Sequence, residues 1–260
     1  MVDAVSRFLG FADTYDRARP RPSAELVDLL TSWSGVAEPD VVDLGAGTGL
    51  STMVWKGRAQ HVLAVEPSAD MRAIATQRMA QIMAKHSFTP VDATAEATGL
   101  PDECADIVTA SQAMHWFDPA AVLPEVARLL RPGGIFAAYD VDWPPAIDAE
   151  VDAAYDAAQN RLRALQHDDT PRWQKSGHLG RMIDSGLFSY AREICLHNKE
   201  TGDPDRLLDL LRSQSHVAAL LRAGHTEDEL GLTRLHEVAT RRMPEPVTWW
   251  WTYRIRVAVK

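Results

Sequence analysis

The stretch 41-VVDLGAGTG-49 decides the fold of this chain. A short β-branched run ends in an acidic residue, and glycines follow at the alternate positions 45, 47 and 49. Such a run is typical of a buried parallel strand, and a glycine turn has no Cβ to keep a ligand away from the backbone. We expect a helix over residues 51–58 whose first N–H groups point at that ligand. The pattern predicts a nucleotide-type cofactor site on a doubly wound sheet.

The spacing of these glycines indicates the kind of cofactor. A dinucleotide site has the spacing G-x-G-x-x-G, whereas this turn has G-x-G-x-G with Asp43 two residues ahead of it. A nearby carboxylate repels a pyrophosphate and attracts a positively charged group. The turn resembles motif I of class I S-adenosylmethionine-dependent methyltransferases, whose cofactor carries an ammonium and a sulfonium. The alternative interpretation is a turn that only links a strand to a helix.

Further segments that resemble this family follow in order along the chain. The run 61-HVLAVE-66 predicts a second buried strand, and Glu66 lies 21 residues after Gly45. An acid at this distance is placed to accept hydrogen bonds from both ribose hydroxyls. Alternatively, Glu66 is a carboxylate at the start of a helix over residues 69–80 that Ser68 caps. Met71 in that helix is predicted to pack against the adenine or to fill the core.

The next two strands carry the remaining motifs. Residues 88–91 predict a third strand. After it, the resemblance implies that Asp92 faces the adenine amino group and that Ala93 gives a backbone contact. The alternative is that Asp92 is a simple turn residue. The fourth strand, 106–111, leads into 112-QAMHWF-117. This run resembles the A-x-H-W-F segment of small-molecule methyltransferases of the methyltransferase-11 and trans-aconitate-methyltransferase type. A helix over 119–130, the turn 131-RPGG-134 and a fifth strand over 135–139 complete the pattern.

The resemblance implies a Rossmann-like α/β fold: a doubly wound, seven-stranded, mostly parallel sheet with an antiparallel last strand and a small helical cap. We predict one domain over residues 1–260, with a covering segment over 1–35 and cap elements over 144–180 and 203–245. Ser23 is expected to cap an amphipathic helix. Helices over 147–172 and 207–221 and strands over 190–197 and 247–259 complete the predicted elements.

The cofactor residues follow from these motifs and from the Y-D-x-A-R-P segment near the N-terminus, which resembles a segment that folds over the cofactor in the same family. The predicted set is Arg19, Asp43, Gly45, Ala46, Gly47, Glu66, Pro67, Met71, Asp92, Ala93 and Gln112.

The acceptor site is predicted from the chemistry of the transfer. Displacement at a sulfonium requires alignment and exclusion of water, and a base only where the acceptor atom carries a proton. His115 is the first candidate for this base and Tyr15 the second, although a structural role for His115 stays open. Trp116 and Trp143 are predicted to form aromatic walls. Arg172 or Arg19 would pair with a carboxylate acceptor.

Composition narrows the remaining classes of function. The net charge is −9 without a basic run, which argues against nucleic-acid binding, and no stretch approaches the ~20 apolar residues of a membrane span. Cys104 and Cys195 have no metal-site spacing, and the histidines form no H-x-x-x-H pair, so no metal and no disulfide are expected. We predict a cytoplasmic monomer or homodimer that acts on a small molecule.

The sequence therefore predicts an S-adenosylmethionine-dependent enzyme that methylates an oxygen, nitrogen or carbon atom of an aromatic, amine or carboxylate metabolite. A nicotinamide-dependent oxidoreductase and a noncatalytic protein that binds S-adenosylmethionine are the alternatives. The glycine spacing counts against the first, and the intact turn with Glu66 counts against the second.

Overall fold

The computed structural model describes residues 18–84, 87–165 and 173–260, which contain a seven-stranded sheet. The strands lie in the order β3-β2-β1-β4-β5-β7-β6. Strands β1 to β5 pair in parallel, and β7 pairs antiparallel to β5. The predicted fold class, with its antiparallel last strand beside a parallel neighbour, is confirmed. The strands are β1 Asp40–Leu44, β2 His61–Val65, β3 Phe88–Val91, β4 Ala105–Ser111, β5 Leu130–Val141, β6 Tyr190–Gly202 and β7 Val247–Val259.

Eight α-helices are assigned in the described residues, and none of them is long and apolar enough to cross a membrane. They are α1 Ala24–Ser34, α2 Ala69–Ile82, α3 Pro119–Leu129, α4 Ala149–Leu165, α5 His178–Asp184, α6 Pro204–Arg212, α7 Ser215–Arg222 and α8 Leu232–Arg242.

The chain divides into two compact units. Among the described residues, the sheet unit comprises 21–84, 87–141, 173–196 and 253–260, and the helical unit comprises 18–20, 142–165 and 197–252. Residues 173–180, which the sequence placed in a cap, group with the sheet unit. The single domain over 1–260 stays a prediction.

The core of the sheet unit lies between its central strands and the helices on them. Helices α1 and α3 pack on β4 and β5. Each fully buried large apolar side chain stabilises the fold by roughly 1.5–3 kcal/mol relative to an exposed one. This core fixes the strand ends that carry the predicted site; its fully buried side chains include Val42, Leu44, Val108, Leu129 and Phe136.

Two predictions about α1, α6 and α7 are wrong. The helix expected over 207–221 is broken between α6 and α7, because Gln214 is extended (ψ 131°) and the Ser213 hydroxyl donates to the Leu210 carbonyl at 2.7 Å. Ser23 precedes α1, but its hydroxyl bonds the Glu25 carboxylate instead of accepting a backbone N–H.

The turn predicted between α3 and the fifth strand is part of the strand. Strand β5 begins at Leu130, opposite Ala105, and Ile135 is the next residue paired with β4, opposite Ile107. The intervening residues 131–134 form a bulge that needs glycine, since Gly133 has φ 77°.

Candidate active site

The glycine turn follows β1 and is tied to the end of β2. The N–H groups of Gly45 and Ala46 both donate to the Val65 carbonyl, at 2.9 and 3.1 Å. Gly45 has φ 67°, and a Cβ there would lie 2.8 Å from Ala113 Cβ. Gly47 has φ 56°, and among the described residues only Met71 Sδ, at 3.8 Å, lies near the position of its Cβ. The turn is thus closed at Gly45 and open at Gly47, so a ligand has access to the backbone at Gly47.

The helix predicted directly after this turn is wrong. The structure has a single 3-10 turn, Thr52–Trp55, whose preceding Ser51 is already in a helical conformation. The Ser51 and Thr52 hydroxyls both donate to Asp43 Oδ2 at 2.8 Å, and Gly57, with φ 66°, ends the segment before β2 begins. Tight side-chain bonding and this glycine leave no room for the expected helix over 51–58.

Asp43 lies beneath the turn and is fully buried. Besides Ser51 and Thr52, Thr109 donates to its Oδ1 at 2.9 Å. Burial raises the pKa of Asp43, because loss of water disfavours the charged form, and the three hydroxyls oppose that effect. Asp43 therefore anchors the turn, and its direct contact with a cofactor stays a prediction.

Glu66 joins the turn to the start of α2. Its Oε2 accepts the Gly47 N–H at 3.0 Å, and its Oε1 accepts the Ser68 N–H at 2.9 Å. The side chain is largely buried, and burial raises its pKa despite these two N–H donors. Ser68 also accepts the Met71 N–H at 3.4 Å, so the predicted cap of α2 is confirmed. Glu66 has the position expected of a ribose ligand and also serves the helix start.

An arginine that the sequence reading missed connects the ends of β2 and β3. Arg72 donates to the Glu66 carbonyl at 2.7 Å, and its second amino group lies 2.7 Å from Asp92 Oδ2. The Asp92 side chain is 73% exposed, so one carboxylate is available at the surface beside Ala93, which packs on the core. The sequence contained one signal for Arg72, which lies one helical turn after Ser68. Arginines on exposed helix faces are common, so this spacing alone did not indicate a site residue.

Polar residues also gather where β4 and β5 end. His115 Nδ1 lies 4.0 Å from Asp140 Oδ1, and the rings of His115 and Trp116 have centroids 5.0 Å apart. Gln112 has φ 53°, and its amide oxygen accepts from Lys175 Nζ at 3.0 Å. His115 and Trp116 therefore lie at the same sheet edge as the glycine turn, because β1 and β4 are parallel neighbours.

Asp140, Lys175 and Arg256 belong to this edge and were missed by the sequence reading. Lys175 Nζ lies 2.8 Å from Asp140 Oδ1, and Arg256 donates to Asp140 Oδ2 at 3.0 Å. The one available signal was Asp140 itself, an acid at the end of the apolar run 135–139. Its partners come from distant parts of the chain.

The remaining predicted site residues lie in the glycine turn, after β2 and in the helical unit. Ala46 is buried in the turn, and Pro67 is exposed after β2. Arg19 and Trp143 belong to the helical unit, where the Arg19 guanidinium lies 4.8 Å from the Trp143 ring centroid and donates to the Ser213 carbonyl at 3.2 Å. Their roles in cofactor and acceptor binding stay predictions. Tyr15 and Arg172 lie outside the described residues.

Comparison with known proteins agrees with this geometry. The methyltransferase domain family matches residues 42–138. An uncharacterized methyltransferase of Mycobacterium tuberculosis is 41% identical over 120 residues, which is 46% of each chain, so this chain spans less than half the length of the mycobacterial relative. A malonyl-[acyl-carrier protein] O-methyltransferase of Pectobacterium atrosepticum is 28% identical over 90% of this chain and 85% of its own.

One solved structure is similar over nearly the whole length. It is a candidate type II methyltransferase from Anaeromyxobacter dehalogenans, with a TM-score of 0.70, 26% identity and coverage of 93% of this chain and 97% of its own. These findings confirm the resemblance to methyltransferases that the motifs predicted.

Proposed function

Since residues 42–138 belong to the methyltransferase domain family, we propose that this chain transfers the methyl group of S-adenosylmethionine to a small organic molecule, on oxygen, nitrogen or carbon. The observation that carries the proposal is the hydrogen bond from the Gly47 N–H to Glu66, which unites the glycine turn with the acid after β2.

The residues at the sheet edge fit this cofactor. A carboxylate offers about four acceptor positions, so Glu66 can accept ribose hydroxyls while it keeps the Gly47 and Ser68 N–H groups. The open face of Gly47 and the thioether of Met71 receive the nucleoside, and the exposed Asp92 accepts from an amino group. The charge of Asp43 beneath the turn favours a cationic ligand over a pyrophosphate.

The acceptor is proposed to bind beside His115 and Trp116. When bound, the cofactor supplies a methyl group on a sulfonium, a leaving group that becomes neutral on transfer. The protein then has to align the acceptor and exclude water. Arg19, Trp143, Tyr15 and Arg172 remain proposed contributors, as do the cytoplasmic location and the monomeric or homodimeric state.

The test is a pair of measurements on the full chain. Calorimetry is expected to give micromolar binding of S-adenosylmethionine and its demethylated product, with negligible binding of NAD. Tight NAD binding without binding of the sulfonium cofactor would reverse the assignment. Transfer of labelled methyl groups is then followed with phenols, amines and carboxylic acids, the last because the Pectobacterium relative is named for O-methylation of a malonyl group.

A further inference from the structure

Asp140 is a buried acid that the proposed cofactor site does not use. It is the penultimate residue of β5 and only 4% exposed, and it follows the fully buried run 135–139. Burying an ionised carboxylate costs several kcal/mol unless cations and hydrogen bonds compensate it. The groups around Asp140 therefore determine whether it carries a charge.

Two cations compensate this carboxylate. Arg256 on β7 is 3% exposed and bonds Asp140 Oδ2, while its Nε lies 2.8 Å from Glu193 Oε2 on β6. Lys175 lies 2.8 Å from the other oxygen, Oδ1. Two acidic and two basic side chains thus lie together in this cluster.

His115 lies against the oxygen that Lys175 also contacts. The distance from His115 Nδ1 to Asp140 Oδ1 is 4.0 Å. The segment that carries Lys175 is fixed next to His115, because the Trp173 N–H donates to the His115 carbonyl at 3.0 Å and Lys175 Nζ donates to Gln112. An acid attracts an imidazolium and an ammonium repels it, so Asp140 and Lys175 act on His115 in opposite directions.

We propose that Asp140 is the positioning residue of His115, that Lys175 tunes the pair, and that His115 is the base for an acceptor whose oxygen or nitrogen still carries a proton. This inference rests on the proposed methyl transfer. Across 4.0 Å, Asp140 attracts the protonated imidazole and so stabilises the imidazolium and its orientation.

The reaction step balances as follows. The acceptor O–H or N–H gives its proton to His115 Nε2 as an electron pair of the acceptor atom bonds the methyl carbon. The carbon–sulfur bond breaks with its electrons on sulfur, so the sulfonium becomes a thioether and the imidazolium later loses its proton to water. Phenols, hydroxyls and amines fit this step, whereas a carboxylate acceptor is already deprotonated.

The test is an NMR titration of the imidazole rings in the full-length protein without acceptor. His115 is assigned by the signal that His115→Gln removes. Asp140→Asn is expected to lower the midpoint of His115 by about one pH unit, a tenfold change in proton affinity, and Lys175→Gln is expected to raise it. Lys56→Gln, at an exposed position, is the matched control with no shift.

The other charged groups of the cluster do not confuse this readout. Among the described residues they are Glu193, Arg256, Arg181 and His178, and of these His178 is the other imidazole. It is fully buried, and burial lowers its pKa to about 4, so it stays neutral over the range in which an ordinary histidine titrates. Arg181 lies 2.9 Å from its Nδ1.

Two results would overturn the inference. One is a titration midpoint of His115 that is unchanged in both Asp140→Asn and Lys175→Gln. If Asp140→Asn does not fold, the midpoint in Lys175→Gln, a change at a half-exposed position, is the deciding measurement. The other is a turnover of His115→Ala near the wild-type value with every phenol or amine that the enzyme methylates, where we expect a loss of about 10²–10⁴-fold. Calorimetry with S-adenosylmethionine on the same samples shows whether the protein binds the cofactor. A protein that binds it but gives either result would refute this inference and not the proposed function.

Discussion

Replacement of Glu66 is the sharpest perturbation of the proposed cofactor site. In Glu66→Ala the Gly47 and Ser68 N–H groups lose their carboxylate acceptor, and so do both ribose hydroxyls in the proposed complex with the cofactor. Hydrogen bonds to a charged group contribute ~1.5–3 kcal/mol each, and 1.4 kcal/mol is about a tenfold change in affinity. We therefore expect the dissociation constant of S-adenosylhomocysteine, measured by calorimetry, to rise at least tenfold.

The fold is expected to survive this change, because Glu66 lies after the end of β2 and the contacts of β2 with β1 and β3 remain. Circular dichroism establishes this in each sample. Glu38→Ala, at an exposed position in the same unit, is the matched control and leaves the affinity unchanged.

The pH dependence of binding gives a second readout from the same residue. Burial raises the pKa of Glu66, and only the ionised carboxylate accepts from both hydroxyls. Affinity is therefore full above this raised pKa and falls as the pH drops through it, at a higher pH than for an ordinary glutamate. An unchanged dissociation constant in folded Glu66→Ala would remove this residue from the site and refute the reasoning.

Two further predictions concern the glycine turn and stability. Gly47→Ala and Gly57→Ala both place a Cβ at positive φ without a clash among the described residues, since the nearest atom is Met71 Sδ at 3.8 Å for Gly47 and none lies within 4 Å for Gly57. Each should destabilise the fold by ~1–2 kcal/mol, but only Gly47→Ala should weaken S-adenosylhomocysteine binding. Equal affinities of the two variants in calorimetry would mean that the turn does not hold the cofactor. Glu125 has a pKa lowered to about 2, chiefly by hydrogen bonds from Arg128. The stabilisation by this carboxylate is present above its unfolded-state pKa and is lost as the pH falls towards 2. Glu125→Gln should therefore lower the free energy of unfolding by roughly 2 kcal/mol at pH 7, less than the full pKa shift implies because Arg128 is partly exposed, and by little near pH 2. A difference in urea unfolding that does not depend on pH would contradict this origin.

The predictable part of the fold is the part that local patterns specify. The runs that end at Leu44, Glu66 and Ser111 are apolar and bounded by turn residues, so each strand and its carboxyl end could be read directly. The helix after the glycine turn could not, because its end depends on hydroxyls of Ser51 and Thr52 that reach back to Asp43. Competition between side-chain and backbone hydrogen bonds is not visible in a hydrophobic pattern.

The site was predictable to the same extent. The turn and Glu66 follow two strands that are consecutive in the chain and paired in parallel, and their spacing reveals their proximity. The cluster around His115 draws on residues 140, 175 and 256. The pairing of β5 with β7 brings residues 140 and 256 together, and the hydrogen bond from the Trp173 N–H to the His115 carbonyl places residue 175 beside them. A sequence shows such a cluster only as scattered charges, each of which resembles an ordinary surface residue.

The place of β7 between β5 and β6 also governs the order in which the fold can be completed during synthesis. Until residues 253–259 leave the ribosome, β5 has only β4 beside it. Its open edge then exposes unpaired N–H and C=O groups, which invite pairing with other chains. Asp140 lacks Arg256 for the same interval and has Lys175 as its cationic partner, so the cluster that joins Asp140 to Arg256 and Glu193 is completed only when β7 inserts.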